Sequence, residues 1–225
     1  MIVVTIDGPG GAGKSTVAAA LAARLRLPHV DTGAFYRAAT LAVLRAGVDP
    51  DDAEGCVDVA VKAGIGRQGG RTWLDGDDVE AEIRGSAVTA AVSAVSAHPG
   101  VRRALLAAQR AGISEAGGVV EGRDAGTVVA PDATLKVWLT ASPQARAARR
   151  AAQLGHAGGA AVDVHARDLA RRDALDAPHM RPAPDAVTVD TTDRIVDDVV
   201  SEIAALVGPG DARWPHAGCS WPPAP

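Results

Sequence analysis

The chain has 225 residues, of which 47% are hydrophobic and 22% are charged, as is typical of a soluble globular protein. Its formal net charge of −4 at pH 7 argues against broad binding to nucleic acids or to anionic membranes. No uncharged apolar run is long enough for a transmembrane helix, so none is expected. The length fits one domain with insertions, or a core with a small second lobe.

The start of the chain and its cysteines bear on the expected location. The first predicted strand begins at Ile2, which leaves no room for a signal peptide, so the expected location is the cytoplasm. The two cysteines, Cys56 and Cys219, lie in very different sequence contexts. Such a pair is more typical of free thiols in a reducing compartment than of a disulfide or a metal site.

A glycine-rich segment lies between an apolar run, Ile2 to Ile6, and a helical pattern with Val17, Leu21 and Leu25 on one face. It matches the phosphate-loop pattern G-x-x-x-x-G-K-[ST] with Gly8, Pro9, Gly10, Gly11, Ala12, Gly13, Lys14 and Ser15. Its backbone N–H groups and the helix N-terminus can bind a polyphosphate. Lys14 can reach the β- and γ-phosphates, and the Ser15 hydroxyl can bind Mg²⁺. This context favours nucleoside-triphosphate binding over a purely structural glycine loop.

The rest of the chain alternates short apolar runs with helical stretches. Further strands are predicted at 29–31, 119–121, 135–139 and 186–190. Further helices are predicted at 35–45, around Arg146, Arg149 and Arg150, and at 195–206. The alternation predicts an α/β fold with a parallel sheet and helices on both faces. Ligands of such sheets bind beyond the carboxyl ends of the strands, where the phosphate loop, Asp31 and residues 121–124 fall.

Three segments interrupt this alternation. Residues 48–90 contain strand patterns joined by glycine-rich turns at 64–76, which predicts a small inserted lobe. Residues 155–165 are rich in glycine and alanine and lie between two arginine-bearing helices, so we expect a mobile lid there. Gly and Pro dominate from residue 208 onward, which predicts a poorly ordered tail, although its Trp214 and Trp221 leave docking on the body or on a partner open.

A phosphate loop alone does not define the reaction. The guanine-reading Asn-Lys-x-Asp motif of GTPases is absent from the sequence. Motor-type ATPases typically have a strand ending in adjacent carboxylates, whereas Glu121 is followed by Gly122, Arg123 and Asp124. Arg37 and Arg123 each follow a predicted strand-end turn, and guanidinium groups bind phosphate in a bidentate manner. The pattern therefore indicates a second bound anion rather than activation of water.

Several segments resemble the bacterial cytidylate kinases. The similarity is carried by residues 31–37 (DTGAFYR), 78–84 (DVEAEIR), 122–129 (GRDAGTVV) and 171–176 (RRDALD). It is collinear from residue 2 to about 207 and excludes only the tail. The resemblance implies a three-layer α/β/α P-loop core with a five-stranded parallel sheet at 1–47, 91–150 and 170–207. It also implies a monophosphate-binding insert at about 48–90, a lid at about 151–169, and the tail at 208–225.

The resemblance also implies an activity, namely transfer of the γ-phosphoryl group of ATP to CMP or dCMP with Mg²⁺. ATP would be bound by the phosphate loop, Thr16 and Arg149. The acceptor phosphate would be bound by Thr32, Arg37 and Arg123, and cytosine by Ser93, Arg102 and Asp124. Arg172 and Asp176 would contact the acceptor phosphate and sugar, and Asp31 would lie at the acceptor end of the cleft. A carboxylate such as Asp124 can accept from the cytosine amino group, and it would be unpaired opposite uracil.

The sequence departs from the family pattern at one position and leaves two alternative functions open. His179 stands where the family pattern has an arginine, and it cannot bind phosphate through two parallel N–H groups. A kinase for another monophosphate such as UMP, or a P-loop regulatory module with slow ATP hydrolysis, stays open. The expected partners are ATP and CMP or dCMP alone, with no nucleic acid or membrane, and the chain is expected to be a monomer.

Overall fold

The structure is a computed structural model. It describes residues 1–155 and 159–208, without the side chains of 159–161. The centre of the expected lid and nearly all of the expected disordered tail lie outside the described residues. Within the described ranges, no helix is both long enough and apolar enough to cross a membrane.

The core is a sheet of five parallel strands in the order β2-β6-β1-β7-β8, and a separate antiparallel sheet has the order β3-β4-β5. The strands are β1 (Ile2–Asp7), β2 (His29–Asp31), β3 (Ile65–Gln68), β4 (Arg71–Leu74), β5 (Asp77–Asp78), β6 (Gly117–Glu121), β7 (Leu135–Thr140) and β8 (Val187–Asp190). In the central register, Ile6 pairs with Glu121 on one side and with Val137 on the other. The carboxyl ends of β1, β2 and β6 are therefore level with one another.

Helices cover both faces of the central sheet. They are α1 (Lys14–Leu25), α2 (Thr32–Arg45), α3 (Ala53–Lys62), α4 (Ser86–Ala97), α5 (Pro99–Ala111), α6 (Pro143–Gln153), α7 (Gly159–Asp176) and α8 (Val196–Leu206). Successive strand residues point to opposite faces, so Val4 packs with Leu21 of α1 and Ile203 of α8, whereas Val3 packs with Phe35 of α2 and Leu105 of α5. The predicted three-layer fold with a five-stranded parallel sheet is confirmed.

The segment 48–90 contains the strands that its glycine-rich turns predicted. Gly69 and Gly70 join β3 to β4 with positive φ angles of 59° and 77°. The segment also contains α3, which the sequence reading did not predict. Asp52 caps this helix, because its side chain accepts from the Gly55 N–H at 3.1 Å. The helix packs Cys56 into the core together with residues of α2 and α5.

Two helices begin earlier than the sequence pattern predicted. The α2 helix begins at Thr32 rather than at Phe35, because Asp31 accepts from the Ala34 N–H at 3.0 Å and caps it. The α7 helix begins at Gly159, so residues 159–165 of the segment expected to form the lid are helical. Alanine has the highest helix propensity of all residues, so this Ala-rich stretch favours a helix despite its glycines.

Candidate active site

A cavity of about 590 Å³ opens beyond the carboxyl ends of the central strands. Of the residues predicted for the site, only Gly8 and Pro9 do not line it. Those that do are Gly10, Gly11, Ala12, Gly13, Lys14, Ser15, Thr16, Asp31, Thr32, Arg37, Ser93, Arg102, Arg123, Asp124, Arg149, Arg172 and Asp176. The structure thus brings together, around one space, residues separated by more than 160 positions of the sequence.

The phosphate loop connects β1 to α1 through backbone conformations that require glycine. Gly8, Gly11 and Gly13 have positive φ angles of 146°, 77° and 90°, and a Cβ at Gly8 would lie 2.1 Å from the carbonyl oxygen of Leu139. Lys14 is buried, and its ammonium donates to the Pro9 carbonyl at 2.8 Å. Burial and the nearby charge of Arg123 lower the pKa of Lys14 to about 7.

A cationic cluster on the acceptor side of the cavity consists of Arg37, Arg123 and Arg172. Arg37 donates to the Ile83 carbonyl at 2.9 Å and to the Thr89 hydroxyl at 3.0 Å. Burial lowers the pKa of Arg37 to about 10, and the charges of Arg172 and Arg84 act in the same direction. Burial and the charge of Arg123 also lower the pKa of Arg172. Such desolvated and mutually repelling cations favour binding of an anion.

The side chains predicted to read cytosine lie on α4, on α5 and after β6. Arg102 forms an ion pair with Asp124, and its guanidinium lies 5.1 Å from the ring centroid of Tyr36. Ser93 is not bonded to either of them. Its hydroxyl donates at 3.0 Å to Asp176 on α7, and Arg123 donates to the second oxygen of Asp176 at 3.3 Å. Asp176 therefore links the base side and the phosphate side of the cavity.

Asp31 and Thr32 are occupied by contacts that position the start of α2. Arg84 donates at 2.9 Å to the Asp31 carboxylate, which also caps the helix. Burial acts to raise the pKa of Asp31, but the charge and hydrogen bond of Arg84 hold that pKa below its ordinary value. The Thr32 hydroxyl donates to the Glu121 carbonyl at 2.6 Å, which ties α2 to β6.

At the other end of the cavity, Arg149 on α6 holds the loop after β8. It donates to the Thr191 hydroxyl at 2.9 Å and to the Thr192 carbonyl at 3.3 Å. Ser15 and Thr16 lie in the first turn of α1, line the cavity and are exposed to solvent. This end is therefore open to a ligand that also contacts the phosphate loop.

The sequence reading assigned no site role to Glu121, Arg84 or Asp173. The buried Glu121 carboxylate lines the cavity and pairs with His29 at 3.0 Å. Asp173 on α7 accepts from the Gly10 N–H at 3.2 Å and forms an ion pair with Arg146. The position of Glu121 at a strand end was a usable signal, whereas Arg84 and Asp173 reach the site only through the tertiary fold. His179, the departure from the family pattern, also lines the cavity.

The residues present suit a Mg²⁺ ion that is held partly by substrate. Among the described residues, no three His, Cys, Asp or Glu side chains are grouped so that they could hold a metal. Mg²⁺ is usually bound by few protein oxygens together with substrate phosphates and water. The exposed Ser15 hydroxyl beside the phosphate loop fits that requirement.

Comparison with known proteins shows to which family this chain belongs. The family model described as cytidylate kinase matches residues 4–208. The cytidylate kinase of Rhodococcus opacus is 50% identical over 92% of this chain and 94% of its own length. The cytidylate kinase of Mycolicibacterium paratuberculosis is 50% identical over 92% of this chain and 95% of its own length. The cytidylate kinase of Paraburkholderia phytofirmans is 46% identical over 96% of this chain and 95% of its own length. The chain belongs to the cytidylate kinase family.

Proposed function

We propose that this protein is a cytidylate kinase that transfers the γ-phosphoryl group of ATP to CMP or dCMP, giving ADP and CDP or dCDP. The observation that carries the proposal is the single cavity into which the phosphate loop, the arginine cluster and the Arg102–Asp124 pair all open. Such a cavity can hold a donor triphosphate, an acceptor phosphate and an acceptor base at once. The family membership of the chain supports the same activity.

On the donor side, the phosphate loop, Thr16 and Arg149 bind ATP. Lys14 contacts the β- and γ-phosphates, and Ser15 would hold Mg²⁺ together with phosphate oxygens. Mg²⁺, when bound, neutralises charge on the transferred group. A bound triphosphate also places anionic oxygens beside Lys14, which stabilises the charged form of its side chain.

On the acceptor side, Thr32, Arg37, Arg123 and Arg172 bind the phosphate of CMP. The lowered pKa values of Arg37 and Arg172 support this role, because burial and the neighbouring cations that lower them are both offset when an anion binds. Asp176 contacts the sugar from α7, and Asp31 organises the acceptor end of the cleft through Arg84. A phosphate dianion is already a nucleophile, so the transfer needs no strong general base.

The base is read by Asp124, Arg102 and Ser93. Asp124 accepts from the exocyclic amino group of cytosine, while Arg102 and Ser93 donate to the ring nitrogen and the carbonyl. Uracil presents a carbonyl where cytosine has its amino group, so UMP sets a carbonyl oxygen against the Asp124 carboxylate and leaves that acceptor without a donor from the base. The Arg102–Asp124 ion pair supports this reading, because it places the donor and the acceptor side by side.

The transfer proceeds in line after the lid, about 151–169, closes over both substrates and excludes water. Closure brings Arg146, Arg149 or Arg150 toward the transferred group. Residues 48–90 act as the monophosphate-binding insert. The enzyme acts as a monomer in the cytoplasm on small-molecule substrates alone.

The proposal is tested by ADP release from Mg·ATP with CMP, dCMP, UMP, AMP and GMP as acceptors. Strong stimulation by CMP and dCMP alone is expected. Stimulation mainly by UMP, or ATP turnover that does not depend on an acceptor, would contradict it. Lys14→Ala should lower turnover by about three orders of magnitude, because it removes a preorganised cation from the transition state, while the circular dichroism spectrum stays unchanged.

A further inference from the structure

Asp7, the last residue of β1, is a buried carboxylate to which the proposed reaction assigns no role. It is 6% exposed and directly precedes the phosphate loop. One carboxylate oxygen accepts from the Ala125 N–H and the other from the Gly126 N–H, each at 2.8 Å. Both carboxylate oxygens of Asp7 therefore accept hydrogen bonds from consecutive N–H groups of one backbone segment.

That segment begins a π-helical turn, Ala125–Val129, which follows directly after Arg123 and Asp124. The first N–H groups of any helical turn have no partner within the turn itself. Asp7 supplies the missing partners, so it determines where the turn begins. Since Arg123 and Asp124 are the preceding residues, their backbone is fixed at the same time.

The other flank of the same segment is also held by β1. The Gly122 N–H donates to the Ile6 carbonyl at 3.1 Å. Arg123 and Asp124 thus lie between two attachments, made by consecutive residues of the strand that leads into the phosphate loop. A Cβ at Gly126 would lie 2.8 Å from the Thr5 hydroxyl, so glycine permits this close approach to β1.

We propose that Asp7 is a positioning residue that holds Arg123 and Asp124 at a fixed distance from the phosphate loop, so that acceptor and donor phosphates align. This inference rests on the proposed function. In-line transfer depends on the relative placement of the two phosphates, and a small displacement of one of them lowers the rate strongly. A carboxylate suits the role because both of its oxygens accept, whereas an asparagine amide would place a donor against an N–H.

The charge of Asp7 is consistent with this role. Burial raises its pKa to about 6, and the bonds from Gly126 and Ala125 oppose that rise. Asp124 also acts to raise the pKa and Lys14 to lower it. The group is ionised at neutral pH and takes up a proton as the pH falls through about 6, which removes one of its two acceptors.

The test compares Asp7→Asn with Thr5→Val. Thr5 lies two residues earlier on the same face of β1, and within the described ranges its buried hydroxyl has no hydrogen-bond partner. Asp7→Asn should raise KM for CMP about tenfold and lower kcat/KM about 100-fold. Kd for ATP should rise by a smaller factor than KM for CMP, because the variant only removes a charge that supports the Lys14 ammonium. Thr5→Val should match the wild type in all three constants.

The competing outcomes are distinguishable. If Asp7→Asn lowers only the amount of protein that binds ATP and leaves KM for CMP unchanged, then Asp7 contributes to stability alone. That result would overturn the inference. Wild-type constants for Asp7→Asn would overturn it as well. Failure of the wild-type enzyme to release ADP in response to CMP would instead contradict the proposed function.

A measurement on the wild-type protein decides the question if Asp7→Asn does not fold. In ¹H–¹⁵N spectra, the amides of Ala125 and Gly126 should titrate with a common midpoint near pH 6, the pKa of Asp7. The Nε–H resonance of Arg123, which donates to Asp176, should move with the same midpoint. An Arg123 resonance that does not move across this midpoint would overturn the inference.

Discussion

At the residue scale, the charge of Lys14 depends on what the phosphate loop holds. The pKa of about 7 lies below the ordinary value of 10.5, so at pH 8.5 the empty site holds mostly neutral lysine. A bound triphosphate favours the ammonium form. ATP binding should therefore take up close to one proton at pH 8.5, and the affinity for ATP should fall as the pH rises above 7.

Isothermal titration calorimetry in two buffers of different ionisation enthalpy measures this uptake directly. The Lys14→Arg variant is the matched control, because its guanidinium stays charged in both states and should show no uptake. Identical heats for the wild-type protein in the two buffers would contradict the lowered pKa of Lys14.

Asp124 is the residue on which base selectivity should depend most. An amide in its place can donate to the carbonyl of uracil, and it loses the charge that pairs with Arg102. Asp124→Asn should lower kcat/KM for CMP about 10- to 100-fold and raise the UMP:CMP ratio of kcat/KM. Steady-state kinetics with both acceptors checks this, and an unchanged ratio would remove Asp124 from base recognition.

At the element scale, α7 contacts the phosphate loop through a carboxylate that a phosphate would repel. Asp173 accepts from the Gly10 N–H and pairs with Arg146, while Leu169 of the same helix packs against Gly10. Asp173→Asn should tighten ATP binding about fivefold, since removing one like charge near a surface is worth about 1 kcal/mol. It should also lower kcat, because Arg146 loses its ionic partner.

Asp168→Asn is the matched control for this prediction. Asp168 is exposed on the same helix, whereas Asp173 is bonded to the Gly10 N–H of the phosphate loop. The same charge is removed in both variants, so equal effects on Kd for ATP would show that only the net charge of α7 matters. Equilibrium binding of ATP without CMP separates this effect from turnover.

The α2 helix is expected to contribute strongly to stability through Phe35. This side chain is 2% exposed and packs with Val3 and Val43 in the core between the sheet and the helices. Phe35→Ala should lower the free energy of unfolding by about 3–5 kcal/mol, whereas Ile195→Ala, at a side chain that is 65% exposed, should change it by less than about 0.5 kcal/mol. Urea denaturation measures both, and similar values for the two variants would contradict this account of the core.

Elements with strong local signals were predictable from the sequence. The phosphate loop, β1 and the apolar strands follow from alternation and from glycine and lysine spacing, and the structure confirms them. The α3 helix was missed because nearby glycine-rich turns dominated the pattern, although Asp52 was a usable capping signal. The extent of α7 was missed because three glycines lie within residues 155–159 and favoured a loop, whereas alanine favours a helix from Gly159 onward.

At the scale of the whole molecule, the residues of the site were predictable only with the family resemblance, and their pairing was not. Arg84 reaches Asp31 across 53 positions, Ser93 reaches Asp176 across 83, and His29 reaches Glu121 across 92. Such contacts depend on sheet order and on helix packing, which local periodicity does not encode. The sequence nevertheless placed Asp31, Glu121 and the phosphate loop at one edge of the sheet, because parallel strands end together.

The central claim is that one cavity transfers phosphate between two nucleotides rather than to water. The measurement that tests it most directly follows the label of γ-³²P-ATP with Mg²⁺, with and without CMP, by separation of the products. We expect label to accumulate in CDP when CMP is present and almost none to appear as inorganic phosphate when CMP is absent. Label that appears in inorganic phosphate at the same rate with or without CMP would contradict the account.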